Sequence, residues 1–188
     1  MKQAKVPTEA ELKRVLTAVA QSRFAARNRM ALMLSYYAGL RVGEIAALKL
    51  SDVIDSERRL RDCISLKAAM TKTKEARTIF VNGKLRKEIE RYVSCYTTLD
   101  LAEPLLMTQK RTAFSANTLC QLFGQIYDEA GIDGATSHSG RRWFITRLAH
   151  SGVSAKVIMS LAGHKHMSTT QRYIDVNDEM MRAAVEIL

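Results

Sequence analysis

Three cysteines, Cys63, Cys95 and Cys120, are all that 188 residues contain, and no two stand in C-x-x-C spacing. An odd, dispersed set of thiols supplies neither a disulfide framework nor a zinc site, so these residues read as reduced core positions. Long apolar runs are missing too. No eighteen apolar residues stand together, and the N-terminal MKQAKVPTEAELK lacks an apolar stretch leading to a small-residue cleavage site. Neither a membrane span nor a secretory leader is expected, and a cytoplasmic protein is. Proline is scarce, at Pro7 and Pro104 only, and no repeat, low-complexity tract or Pro/Gly/Ser linker marks a domain boundary. Residues 1–188 are therefore expected to form one domain. Acidic residues are also short: 19 Asp and Glu against 29 Lys and Arg leave a formal net charge of +10. Because the basic residues are spread among helical segments, a folded surface that meets a polyanion is expected, with nucleic acid the leading candidate.

With 47% apolar residues the chain can bury one good core. Thr8 followed by Glu11 forms a capping box for a helix with Leu12, Val15, Leu16 and Val19 on one stripe. A second helix, RNRMALMLSYYAG, should stop at Gly39, and a short third should run from about Val42 to Leu48, which puts Arg41 at a helix junction. Between Val53 and Val81 the alternating segments CISL and RTIFV flank the polar TKTKEA, a pattern of two strands around a turn with Lys72 near its tip. After Asn82, a helix N-cap, the remainder reads as helix to the end. The expected class is mainly α with a small antiparallel β-sheet (α+β).

The chemistry-bearing residues crowd into SHSGRRWFITRLAHSGVSAKVIMSLAGHKHMSTTQRYIDV. There His138 and Arg141 stand three apart, on one helical face, and His164 and Tyr173 follow nine apart. Taken singly, each reads as an ordinary packing or capping residue; only the ordered set is specific. The pair His164 and His166 forms H-x-H, but no further ligands complete a metal site. The methionines read as core fillers.

From about Thr8 to Leu188 this order resembles the catalytic domain of the tyrosine recombinase (phage integrase) family. In that family an early arginine, a lysine on a β-turn, H-x-x-R, G-H and a nucleophilic tyrosine follow one another. The resemblance implies that Arg41 is the first catalytic arginine and Glu44 its supporting acid, holding Arg41 or His138. It makes Lys72 the hairpin lysine, preferred over Lys74 for its K-T-x-x-x-R setting. His138 and Arg141 match H-x-x-R, His164 the second histidine, and Tyr173 the nucleophile. Gly140 stands where members often carry leucine, and Arg142-Trp143 where His or Arg before a small residue is commoner. Members also carry an N-terminal DNA-clamping domain, which is not expected here, and a C-terminal helix, about residues 177–188 in this chain, that docks on a neighbouring subunit.

The implied activity is site-specific DNA recombination or integration through a 3′-phosphotyrosyl intermediate, on double-stranded DNA, by a homotetramer that is a monomer in solution, nucleoid-associated in a prokaryotic host. A type IB topoisomerase-like relaxing enzyme and a non-catalytic DNA-binding regulator are the alternatives. Guanidinium groups stay protonated and present paired donors to phosphate oxygens, so Arg41 and Arg141 can neutralise the charge that many nucleases assign to magnesium. No metal or other cofactor is expected. An unperturbed phenol has a pKa of about 10, so attack near neutral pH needs a proton acceptor, which the resemblance assigns to His138.

Overall fold

The computed structural model describes residues 4–71, 74–96, 100–174 and 178–186. Lys72 lies outside the described residues, as do Asn177, Ile187, Leu188 and the Met180 side chain.

Helices α1 (Glu9–Ala20), α2 (Ala25–Ala38), α3 (Val42–Ala47) and α4 (Leu50–Val53) lead into strands β1 (Cys63–Leu66) and β2 (Arg77–Phe80), then α5 (Gly83–Val93), α6 (Ala116–Glu129), α7 (Ser139–His150), α8 (Ala155–Ala162), α9 (Met167–Gln171) and α10 (Asp178–Val185). The fold is thus mainly helical with one two-stranded antiparallel sheet. The polar chemistry written locally into the chain sets several helix starts. Thr8 and Glu11 make the reciprocal capping box of α1, while the Asn82, Ser115 and Ser154 side chains accept from the first turns of α5, α6 and α8.

The centre of the molecule is α2. Met30 through Tyr36 are buried without interruption, so the middle of the helix is enclosed on every side, while Ala26 near its start is exposed. It packs against α1, α3, α5 and α7. The α2–α7 approach is close because Gly140 lies against Ser35 and Tyr36, where an added Cβ would collide with both side chains. That crowding is why glycine occupies this position.

Two apolar clusters result. The larger joins α1 through α6 with the sheet and reaches α7 through Trp143, which packs edge-on against Tyr37 at 5.5 Å between ring centroids. The smaller gathers Ile145, Ala149, Ile158 and Ala162, with Tyr173 and Ile174 against it. Helix α7 therefore serves both clusters. In the hairpin, Ile64 pairs with Ile79 on the buried face and Leu66 with Arg77. Among the described residues no helix is long and apolar enough to cross a membrane.

The cysteines depart from expectation. Cys63 is only half-buried, and Cys95 and Cys120 are exposed. The inward face of α6 is Leu119, Phe123, Ile126 and Tyr127, and Cys120, one residue past Leu119, is rotated by about 100° away from it. Cys95 follows the end of α5, where its thiol reaches the Arg91 carbonyl at 3.3 Å.

Candidate active site

Two helix ends build the site. Helix α2 stops at Gly39 and α8 at Gly163, both left-handed, with φ of 63° and 62°, a conformation that glycine adopts without strain. The last carbonyls of a helix have no partner inside it and carry the negative end of its dipole. Here arginines take them. Arg141, in the first turn of α7, donates to the Gly39 carbonyl at 2.6 Å and to the Ala162 carbonyl at 2.5 Å. Arg77, at the start of β2, donates to the Leu161 carbonyl at 2.7 Å, and Arg41, the N-cap of α3, to the Gly163 carbonyl at 3.4 Å. Three consecutive carbonyls at the end of α8 thus collect three guanidinium groups. An added Cβ at Gly163 would run into the Arg77 side chain, a second reason for glycine there.

One carboxylate is buried among them. Glu44 is 1% exposed and meets Arg41 at 2.9 Å and Arg77 at 2.5 Å; it also accepts the Arg41 backbone N–H at 2.8 Å. Its partners are therefore Arg41, as expected, and Arg77, which was not. Among the described residues, the three guanidinium groups gathered at the end of α8 meet one carboxylate, an excess of two positive charges. Burial, and then the charges of Arg41 and Arg77, push Arg141 down to about 9. The pocket is short of negative charge, and an anion placed there relieves it.

His164 and Tyr173 form the other wall. The His164 ring is buried and stacks on the Tyr173 ring with centroids 5.9 Å apart and 22° between planes. Burial, then the charges of Arg141, Arg41 and Arg77, lower the imidazole to about 4, so it is neutral near pH 7. The Arg142 guanidinium lies over the Tyr173 ring at 5.2 Å, and Tyr173 is close enough to Arg141 to influence it electrostatically. His138 occupies the N-cap position of α7, one turn before Arg141, and is exposed. His166 is exposed while His164 is buried, so the two rings of the H-x-H pair do not share a site.

Sequence comparison places the chain. The model of the phage integrase family matches residues 5–180. The chain belongs to that family. Among its relatives is a tyrosine recombinase, XerA, of Thermococcus kodakarensis, 34% identical over 185 residues that span 97% of this chain and 62% of the relative. The chain thus spans about three fifths of the length of the curated relatives it matches. Among solved structures, the crystal structure of XerA recombinase superposes with a TM-score of 0.76 at 24% identity, covering 98% of this chain and 63% of that one. The Tn1549 transposon integrase, solved in complex with transposon right end DNA, gives 0.79 at 20% identity, covering 100% and 67%. The fold is that of tyrosine recombinase catalytic domains.

In the pocket, Arg41, Glu44, Arg141, His164 and Tyr173 come together, His138 stands one helical turn from Arg141, and Lys72 lies outside the described residues. Lys74, the other hairpin lysine, is exposed and takes a left-handed φ of 55°. Two participants escaped sequence reasoning. Arg77 is the terminal arginine of the K-T-x-x-x-R pattern, so a signal for it existed. Thr170, buried with its Oγ1 2.9 Å from His164 Nδ1, had none beyond its place three residues before Tyr173. The family departure at Trp143 resolves as packing: the indole is buried against Tyr36 and Tyr37, with Arg147 over its face at 5.5 Å.

Proposed function

We propose that this chain is the catalytic domain of a site-specific DNA recombinase, in which the Tyr173 hydroxyl attacks a backbone phosphate and forms a 3′-phosphotyrosyl link. The observation that carries this reading is the meeting of Tyr173 with Arg141 and His164 in one pocket that has two positive charges to spare. A phosphodiester brings one negative charge and its pentavalent transition state a second, so the excess matches the charge that develops. Arg41 and Arg141 hold the non-bridging oxygens, exchanging helix carbonyls for phosphate. His164 donates to one of those oxygens. His138 accepts the phenol proton, and the departing 5′-oxygen takes its proton from Lys72. Glu44 keeps Arg41 oriented. The bond energy is retained in the tyrosyl ester, so a 5′-hydroxyl from another duplex reverses the step without ATP.

Family membership favours recombination over a topoisomerase-like relaxation, and the DNA-bound Tn1549 integrase supports double-stranded DNA as the partner. The active form is a homotetramer on DNA. In it α10, which exposes Met181 and Val185 at 52% and 67%, docks on a neighbouring subunit.

A nicked suicide duplex tests the chemistry: the chain should become covalently attached through Tyr173, and Tyr173→Phe should bind the duplex without attachment. Binding by both proteins with no adduct from either overturns the proposal in favour of a non-catalytic DNA-binding protein.

A further inference from the structure

Thr170 touches both halves of the reacting pair. Its side chain is wholly buried, its Oγ1 lies 2.9 Å from His164 Nδ1, and its carbonyl accepts the Tyr173 backbone N–H at 3.0 Å. Two arrangements of hydrogen suit the Oγ1–Nδ1 contact. In one, the hydroxyl donates to Nδ1 and the ring proton sits on Nε2. In the other, Nδ1–H donates to the hydroxyl oxygen, and the hydroxyl hydrogen needs an acceptor elsewhere. Among the described residues, the hydrogen-bond partner of Thr170 Oγ1 is His164 Nδ1. A hydroxyl hydrogen buried without an acceptor is costly, so the first arrangement is the stable one.

We propose that Thr170 is a positioning residue, whose hydroxyl donates to Nδ1 of His164 and so holds the ring as its Nε2–H tautomer. The consequence rests on the reading of His164 as a donor to a phosphate oxygen. With Nδ1 occupied, Nε2 is the nitrogen left to reach that oxygen, and it must carry hydrogen to do so. The opposite tautomer turns a lone pair toward an anion and repels it. Placement of the single ring proton matters because burial, and then the charges of Arg141, Arg41 and Arg77, keep His164 neutral. The Thr170 carbonyl meanwhile anchors the turn that bears Tyr173, so one residue sets the donor and the nucleophile against the same phosphate.

The test combines ¹⁵N NMR of the histidine rings in DNA-free protein near pH 7.5 with covalent trapping on the nicked duplex. Wild type, Thr170→Val and Thr170→Ser are compared, and the His164 signals are assigned with His164→Gln. Wild type and Thr170→Ser should show the Nε2–H tautomer. In the near-isosteric Thr170→Val the ring should lose the hydrogen bond at Nδ1, moving the Nδ1 resonance toward that of an unbonded imidazole nitrogen, and DNA should be trapped about tenfold more slowly, the loss expected for one neutral hydrogen bond, with Thr170→Ser recovering most of the rate. An Nδ1–H ring in wild type, or an unchanged Nδ1 resonance in folded Thr170→Val, overturns the proposal. If Thr170→Val fails to fold, the wild-type and Thr170→Ser tautomers decide. Failure of wild type to trap DNA would count against recombination alone, because the tautomer is read without any reaction.

Discussion

The Arg77 guanidinium and the Glu44 carboxylate meet at 2.5 Å with only 9% and 1% of their side chains exposed, and the same carboxylate holds Arg41 at 2.9 Å. One buried anion therefore steadies two cations from distant parts of the chain. Removing one partner of a buried pair leaves the other uncompensated, so Glu44→Ala should lower stability by about 3–5 kcal/mol. Urea denaturation measures this, and a loss within the range of ordinary surface substitutions would show that the helix carbonyls alone suffice to hold the arginines.

Arg141 spans two helix ends through two different nitrogens, one on the Gly39 carbonyl and one on the Ala162 carbonyl. A lysine ammonium is a single centre and cannot reproduce that fork. Arg141→Lys should slow covalent trapping of nicked DNA by about 10²–10³-fold, the usual effect of losing one donor aimed at developing oxyanion charge. An unchanged trapping rate would mean that Arg141 serves only to join α2 to α8.

The lowered pKa of His164 makes stability depend on acidity. Burial and the neighbouring guanidinium groups put the folded value at about 4, below the unfolded value of about 6.5. Between those values the unfolded chain binds the proton that the folded chain refuses, so this residue does not penalise folding above pH 6.5. As the pH drops the penalty grows, becoming complete below about 4. Thermal melts across this window should show stability falling on acidification, with a shallower fall in His164→Gln. Identical slopes would place the acid sensitivity elsewhere.

At the α2–α7 contact, a side chain at position 140 has no room because Ser35 and Tyr36 already fill it. Gly140→Ala should cost about 1–3 kcal/mol through overpacking. Ser35 Oγ is itself buried without a hydrogen-bond partner, so Ser35→Gly removes an unsatisfied hydroxyl and opens space together. A double-mutant cycle should find the pair less damaging than the sum of the single changes; strict additivity would show that α2 and α7 shift apart instead.

Much of this was legible beforehand for a local reason. The caps at Thr8 and Asn82 and the left-handed glycine at 39 act within one helical turn, so the chain states locally where those helices begin and end. Residue type suggests burial for Cys120, while rotation about the α6 axis decides its exposure. Cys120 and Leu119 are neighbours in sequence that face opposite environments.

The primary structure settles which side chains are available for phosphate chemistry, in what order, and on which helix ends they ride, since propensity and capping operate over a few residues. Beyond the Glu44–Arg41 pair, three residues apart, it leaves open what balances those side chains. Arg141 binds a carbonyl 102 positions away, Arg41 one 122 away, and Arg77 a carboxylate 33 away. Such partners are chosen by how α2, α8 and the hairpin pack, a global compromise that no local periodicity encodes.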